Sequence, residues 1–356
     1  MSGEECMMLS VCIITKNEKE NLERCLKQIS GYGFEIVVAD TGSEDGTLQM
    51  AQRYTDCIYE FEWCGDFAKA KNFAVSKAKN NMVFVVDSDE YVRRIEIEKL
   101  KQQIVEHPKA VGRVQRVNFI RQDDEIRESR EYINRLFDRR YYCYEGKIHE
   151  QLVAKDGNLY PVYDTTIIME HSGYLLSEPQ RIEKAKRNIQ LLEETLKENG
   201  PDPYILSQLG KSYYMINDYE QASDFFSKAL SFDLDPKLEY VIDAVESYGY
   251  ALLNSGKADQ ALGLEGVYEE FGKSADFQFL MGLIFMNNEM FERAIEEFLK
   301  ASRQKESRMK GVNSYLALYN AGVIYECTGN TERALEMYRR CGDYEPAKKR
   351  YKKIKG

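Results

Sequence analysis

Up to about residue 175, short unbroken apolar runs alternate with amphipathic stretches. Ser10–Ile14, Ile36–Ala39 and Val83–Val86 are apolar, rich in β-branched residues and barely alternating, the pattern of strands covered on both faces by helices. Between them, Asn17–Ile29 reads as a helix with Asn17 as N-cap and Glu20 three residues on, and Asp66 caps a second helix, Phe67–Ala78. The pattern predicts an α/β sandwich. In such sheets ligands gather at the carboxyl ends of strands, which makes neighbours of Thr15, Asp40 and Asp87.

From about residue 180 the strands stop and a helical repeat takes over. Gly210, Gly249, Gly282 and Gly322 lie 39, 33 and 40 residues apart, and each is followed twelve residues later by an alanine: Ala222, Ala261, Ala294 and Ala334. Four residues further on stand Phe226, Glu265, Phe298 and Tyr338, and Pro346 closes the last unit. Small residues let paired helices cross closely, and the aromatic is expected to fill the gap to the next pair. The pattern resembles the tetratricopeptide repeat, with its second unit degenerate at Glu265. Glu178–Asn199 reads as a connecting helix joined to the repeats by Gly200-Pro201-Asp202-Pro203. The expected organisation is an α/β domain over 1–177, a connecting helix and linker over 178–203, and an all-α repeat solenoid over 204–356.

A formal net charge of −10 disfavours nonspecific binding of nucleic acid or anionic lipid. The last nine residues reverse the sign locally, with Lys348, Lys349, Arg350, Lys352, Lys353 and Lys355 reading as a solvated helix end or a contact for an acidic partner. The eight cysteines form no C-x-x-C pair and no disulfide framework. Glu4 and Glu5 stand where a signal peptide would be basic, the apolar stretch Met7–Ile14 is short, and no run approaches the roughly 18 apolar residues of a membrane span. A cytoplasmic protein with reduced thiols is expected.

Asp87-Ser88-Asp89 directly follows the run Val83–Val86, so two carboxylates project from a strand end into the expected crevice. Mg²⁺ or Mn²⁺ takes one or two carboxylates and completes its shell with water and substrate phosphates, although Asp-x-Asp by itself also describes a solvated turn. Asp40 ends its strand and opens the turn-rich loop Thr41–Thr47. Its carboxylate can accept the N3–H of a uracil ring, or cap its own loop in an Asx-turn.

Val11–Glu18 (VCIITKNE), Ile36–Thr47 (IVVADTGSEDGT), Asp66–Asn72 (DFAKAKN) and Phe84–Glu90 (FVVDSDE) together resemble the family-2 glycosyltransferases of the GT-A fold, in order and in spacing. Arg135-Leu136-Phe137, Gly146-Lys147-Ile148-His149-Glu150 and His171-Ser172-Gly173-Tyr174 look like a subgroup containing lipopolysaccharide-core glucosyltransferases and the sublancin-type peptide S-glycosyltransferase. The resemblance implies a GT-A, Rossmann-like nucleotide-binding sandwich and an inverting, metal-dependent transfer from a UDP-sugar. It puts Thr15, Asn17, Glu18, Asp40, Lys71, Asp87 and Ser88 around the nucleotide-sugar, with Asp40 at the uracil and Asp87 at the ribose and metal. Asp89, Asp87 and His171 would serve Mn²⁺ or Mg²⁺. Lys71 stands where family members often carry arginine near the diphosphate, so a point charge replaces a bidentate contact.

An inverting transfer needs a base for the acceptor proton and positive charge for the departing diphosphate. Glu150, His149 and Glu90 are the candidates for the base, Glu150 first, with His149 as its alternative orienting partner. His171 is either a metal ligand or a buried structural histidine. Trp63 either stacks on a sugar or base or packs beside Phe61 and Phe67, and His107 is given no role. The leading reading is an enzyme whose repeats hold a peptide or protein acceptor, glycosylated on Cys, Ser or Thr, or join two protomers. Its rivals are transfer to a cell-wall, lipid-linked or lipopolysaccharide saccharide, and a non-catalytic repeat scaffold.

Overall fold

The computed structural model describes residues 9–122, 125–171 and 178–356, without the side chains of 120–122, 125–127 and 178. Glu4, Glu5, Cys6, Met7, Met8, Ser172, Gly173 and Tyr174 from the sequence patterns above lie outside the described residues. The chain divides into two units, Met1–Leu176 and Ser177–Gly356.

The described residues of the first unit form ten strands: β1 (Leu9–Thr15), β2 (Glu35–Asp40), β3 (Ile58–Glu60), β4 (Met82–Asp87), β5 (Glu90–Arg94), β6 (Val111–Gln122), β7 (Glu125–Asp138), β8 (Tyr142–Glu145), β9 (Gln151–Ala154) and β10 (Val162–His171). Eight of them form one mixed sheet in the order β3-β2-β1-β4-β7-β6-β10-β5, and β8 and β9 pair as a separate ribbon. The helices are α1 (Lys19–Ile29), α2 (Thr47–Ala51), α3 (Phe67–Lys77) and α4 (Ile97–Glu106). β1 pairs in parallel with β2 on one side and β4 on the other, in a register that sets Thr15 opposite Asp40 and Ile14 opposite Asp87. The expected neighbours at the strand ends therefore meet. Val11 and Ile13 on one face of β1 enter a core with Leu22, Leu26 and Met50, whereas Cys12 on the other enters a core with Ala68, Ala74 and Val75. Burial on both faces explains why these strands read as continuous apolar runs.

The N-cap expected at Asn17 is not what forms. α1 begins at Lys19, with Glu18 at the cap and no side-chain cap bond. Asn17 lies in the left-handed region at φ 52°, donates its N–H to Ser43 Oγ at 2.8 Å and accepts the Glu44 N–H on Oδ1 at 2.8 Å. The orphan amides of α1 are met from across the crevice, Glu18 N–H by Thr47 Oγ1 and Lys19 N–H by Asp45 Oδ2. Asp66 does cap α3, accepting the Lys69 N–H at 2.9 Å.

The second unit is helical throughout its described residues. It runs α5 (Glu178–Asn199), α6 (Pro203–Met215), α7 (Tyr219–Leu230), α8 (Glu239–Asn254), α9 (Ala258–Ala261), α10 (Tyr268–Phe271), α11 (Ala275–Asn287), α12 (Phe291–Ala301), α13 (Tyr315–Cys327), α14 (Thr331–Arg340) and α15 (Glu345–Lys355). The four repeat alanines are completely buried. A Cβ built on Gly210 would lie 2.8 Å from the Phe226 ring, on Gly282 2.6 Å from Phe298 and on Gly322 2.7 Å from Tyr338. Each aromatic thus fills the notch of its own repeat's glycine, sixteen residues back, rather than the gap to the following pair. Where Glu265 replaces the aromatic, Leu264 and Leu280 occupy the notch at Gly249, and Glu265 turns outward to Arg293. The second helix of that repeat is broken, α9 and α10 being separated by a 3₁₀ segment over Leu262–Val267. Pro346 opens α15 rather than ending a helix, at the first turn where its missing N–H costs nothing, and the basic cluster lies on that helix.

Gly282→Ala is expected to destabilise the repeat unit by about 1–3 kcal/mol through overpacking. Gly263→Ala, which meets open space, should stay within about 0.5 kcal/mol. Urea denaturation followed by circular dichroism compares them, and equal midpoints would contradict the notch.

Candidate active site

Asp87 leaves the end of β4 into a crevice crowded with charge. Its Oδ1 lies 2.7 Å from Lys71 Nζ and its Oδ2 2.5 Å from the Arg135 guanidinium. Burial and the nearby Arg135 push the Lys71 ammonium down, but Asp87 and Glu150 outweigh them and hold it above the ordinary lysine value. Burial pushes the Asp87 carboxyl up, and Arg135 and Lys71 overcome this to hold it well below the usual carboxylate range. Lys71 also reaches Glu150 Oε1 at 2.6 Å, so Lys71 is what orients Glu150. Arg135 continues to Glu90 Oε1 at 3.0 Å, and Arg116 meets the same oxygen at 3.0 Å. Glu90 is fully buried and accepts the Asp87 N–H on its other oxygen. That removes Glu90 from the candidates for the base, because both its oxygens are committed to holding the strand end.

The segment Asp66–Asn72 builds one wall of this arrangement. Asp66 starts the helix, Lys71 points into the ion pairs, and Asn72 exchanges two hydrogen bonds with the backbone of Tyr144 in β8. The loop carrying Glu150 is tied to the same helix by the Phe67 N–H donating to the Lys147 carbonyl at 2.8 Å. It bends through Gly146 at φ 100° and His149 at φ 51°, conformations that turn the loop back on itself. Trp63 packs edge-on against Phe67, 4.8 Å between ring centroids, while Phe61 meets Phe73. His107 stacks on Tyr163, away from the strand ends.

Asp40 is almost wholly buried at the end of β2. Its Oδ2 accepts the Gly42 and Ser43 N–H groups at 3.0 and 2.8 Å, and Oδ1 accepts the Ser43 hydroxyl at 2.5 Å. The Asx-turn is therefore real. It uses three of about four carboxylate lone-pair sites and leaves capacity on Oδ1 for one more donor. Beside it, the Thr15 carbonyl accepts both the N–H and the hydroxyl of Thr41. The Thr15 hydroxyl is buried with no hydrogen-bond partner among the described residues, a polar atom poised for a ligand.

Ser88 and Asp89 form the turn after β4. Asp89 Oδ2 lies 3.3 Å from His171 Nε2, because β10 sets His171 opposite Glu90 of β5 and Asn118 of β6. His171 Nδ1 is 3.0 Å from Asn118 Oδ1, and Asn118 Nδ2 donates to Glu131 Oε1, which is itself held by Arg116. This arrangement sets Nε2 against the Asp89 carboxylate, a nitrogen and an oxygen donor that one divalent cation can take together. Among the described residues no group of three His, Cys, Asp or Glu side chains converges on one point. Two protein donors with the remaining positions open fit Mn²⁺ or Mg²⁺ bound together with water and diphosphate.

Arg116 and Asn118 are not singled out by any sequence motif, and Arg135 enters only as part of Arg135-Leu136-Phe137. The available signal is an arginine within one residue of the fully buried pair Leu136 and Phe137, since a buried arginine implies a buried carboxylate facing it. Arg135→Met should destabilise the first unit by about 3–5 kcal/mol, because Glu90 and Asp87 lose their shared counter-charge. A urea midpoint equal to wild type would show the network to be dispensable.

Residues 10–157 match the profile described as Glycosyl transferase family 2, and residues 317–350 match a tetratricopeptide repeat. A TPR repeat-containing protein of Synechococcus elongatus is 27% identical over 237 residues, covering 64% of this chain and 58% of its own length. The SPbeta prophage-derived glycosyltransferase SunS of Bacillus subtilis is 24% identical over 288 residues, covering 77% and 66%. The lipopolysaccharide core biosynthesis glycosyltransferase LpsC of Rhizobium meliloti is 29% identical over 201 residues, covering 50% and 73%. The matched stretch spans 58% and 66% of the Synechococcus and Bacillus proteins. No helix among the described residues is long and apolar enough to cross a membrane. With the crevice at the ends of β1, β2 and β4 inside the matched segment, the chain carries a family-2 glycosyltransferase domain followed by tetratricopeptide repeats.

Proposed function

We propose that the chain is an inverting, metal-dependent glycosyltransferase that moves a sugar from a UDP-sugar to an acceptor, a peptide or protein side chain bearing Cys, Ser or Thr. The observation that carries the reading is the meeting of Thr15, Asp40 and Asp87 at adjacent strand ends, with the Asp89–His171 pair beside them. Asp40 takes the uracil N3–H on its remaining lone pair, and Asn17, Glu18 and Ser88 line the same crevice. Asp89 and His171 would hold a divalent cation, with Asp87 near, and that cation would supply the positive charge a departing diphosphate needs.

In the transfer, the acceptor sulfur or oxygen forms a bond to the anomeric carbon from the face opposite the diphosphate. The bond from that carbon to the β-phosphate oxygen breaks, and UDP leaves with the electron pair. Glu150 receives the acceptor proton, with His149 beside it in the same loop. Lys71 bridges Glu150 and Asp87, so the base and the nucleotide end of the site are linked through one ammonium. The seven described cysteines are free thiols, which supports a reducing, cytoplasmic setting. LpsC favours one second reading, in which the acceptor is a lipopolysaccharide saccharide.

Asp89→Ala should abolish Mn²⁺-dependent transfer and UDP-sugar hydrolysis while leaving the circular dichroism spectrum unchanged. Retention of more than about a tenth of wild-type turnover would sink the metal assignment, since loss of one donor to the leaving group already costs on the order of a hundredfold. Asp40→Asn should weaken UDP binding by roughly 1–3 kcal/mol, measured calorimetrically, because its amide can turn a donor toward the uracil N3–H. Unchanged affinity would falsify the uracil contact.

A further inference from the structure

The connection from α12 to α13, residues 302–314, folds back onto the first helices of two earlier repeats. Arg308 sends one prong of its guanidinium to Glu246 Oε2 at 3.2 Å and the other to Asp243 Oδ1 at 3.1 Å, carboxylates three residues apart on α8. Its backbone N–H and that of Met309 donate to the two oxygens of Asp276 on α11, both at 2.8 Å. Asp243 and Asp276 stand six residues before Gly249 and Gly282, so two consecutive repeats offer the same register position to one short segment. The strap is braced by Gln304, which donates to Gln278, and by Asn313, which donates to the Gln304 carbonyl and accepts the Ser307 hydroxyl.

The recess and its occupant are not fully matched. Asp276 is 5% exposed. Glu246 Oε1 and Arg308 Nε are both buried, and neither has a hydrogen-bond partner among the described residues. Among the cations that face the three carboxylates are Arg308 and the Lys211 ammonium, which pairs with Asp243. Burial is the main reason the Glu246 carboxyl is pushed up to about 8, with Asp276 and Asp243 adding to it against Arg308. The strap therefore makes the contacts its loop permits and leaves one donor and one acceptor unused.

We propose that this recess is a binding site for an extended peptide that presents an arginine, and that Ser307-Arg308-Met309 occupies it as an intramolecular stand-in for that ligand. A carboxylate that takes two successive backbone amides reads an extended main chain. Two carboxylates one helical turn apart read the fork of a guanidinium, which a lysine ammonium cannot span in the same way. An incoming peptide free of the loop can place its own arginine Nε–H on Glu246 Oε1, the acceptor that Arg308 leaves unused. Inner faces of helical repeats are suited to such extended ligands. The inference does not rest on the transferase reading, and its test needs neither donor sugar nor metal.

The probe is a fluorescein-labelled peptide copying residues 305–311, titrated against the full-length chain and read by anisotropy. Arg308→Ala, which frees the Asp243 and Glu246 carboxylates of the guanidinium, should bind it at least ten times more tightly than wild type. Replacing the peptide's arginine by alanine or lysine, or adding Asp243→Asn and Glu246→Gln to this variant, should each cost at least tenfold. Binding by the variant that is no tighter than wild type, or that ignores the peptide's arginine, would overturn the proposal. Should Arg308→Ala fail to fold, hydrogen exchange of the Arg308 and Met309 amides in wild type decides. Millimolar peptide should speed their exchange and the alanine peptide should not, and equal rates with both would overturn it.

Discussion

The grip of Lys71 and Arg135 on the Asp87 carboxylate is the constraint around which the first unit is arranged. It gathers α3, β4, β7 and, through Glu90 and Arg116, β5 and β6. Desolvating these ions is costly, and the arrangement persists because each buried charge meets more than one opposite partner. Its cost falls on β4, whose end must stay in register with β1 for Asp87 to reach both cations. The same grip divides labour within Asp87-Ser88-Asp89: the first carboxylate is taken up by the protein, while the second faces His171.

Two loops complete the crevice by bonding to each other. The amides of Asn17, Glu18 and Lys19 are met by Ser43, Thr47 and Asp45, and Asn17 returns a bond to Glu44. The start of α1 and the loop after β2 are therefore one structural piece. A ligand that ordered either would order both.

The strands β1, β2 and β4 were legible because burial on two faces leaves an unbroken apolar run. Asp40 and Asp89 were legible because a carboxylate just past such a run has a crevice as its address. The repeats were legible through a glycine and an alanine that nothing larger can replace. Asn17 misled, since a residue that favours an N-cap equally favours the left-handed region and a bond across to another loop. Arg116, Asn118 and the Arg308 strap stayed hidden because their meaning lies in partners 13 to 65 residues away, and single-sequence periodicity carries no information about pairing at that range. Glu90 was visible as a carboxylate, but its burial was not.

The broken helix of the second repeat has a consequence for cooperativity. Three repeats close on themselves through a glycine–aromatic contact only sixteen residues long, so each can form early from local chain. The repeat between Gly249 and Glu265 lacks the aromatic and fills its notch jointly with its own Leu264 and with Leu280 of the following repeat. In a linear array, where stability is a sum of units and nearest-neighbour couplings, that repeat depends on its neighbour for order. Unfolding that begins in α11 and α12 would carry it along, whereas α6 and α7 retain their own clasp.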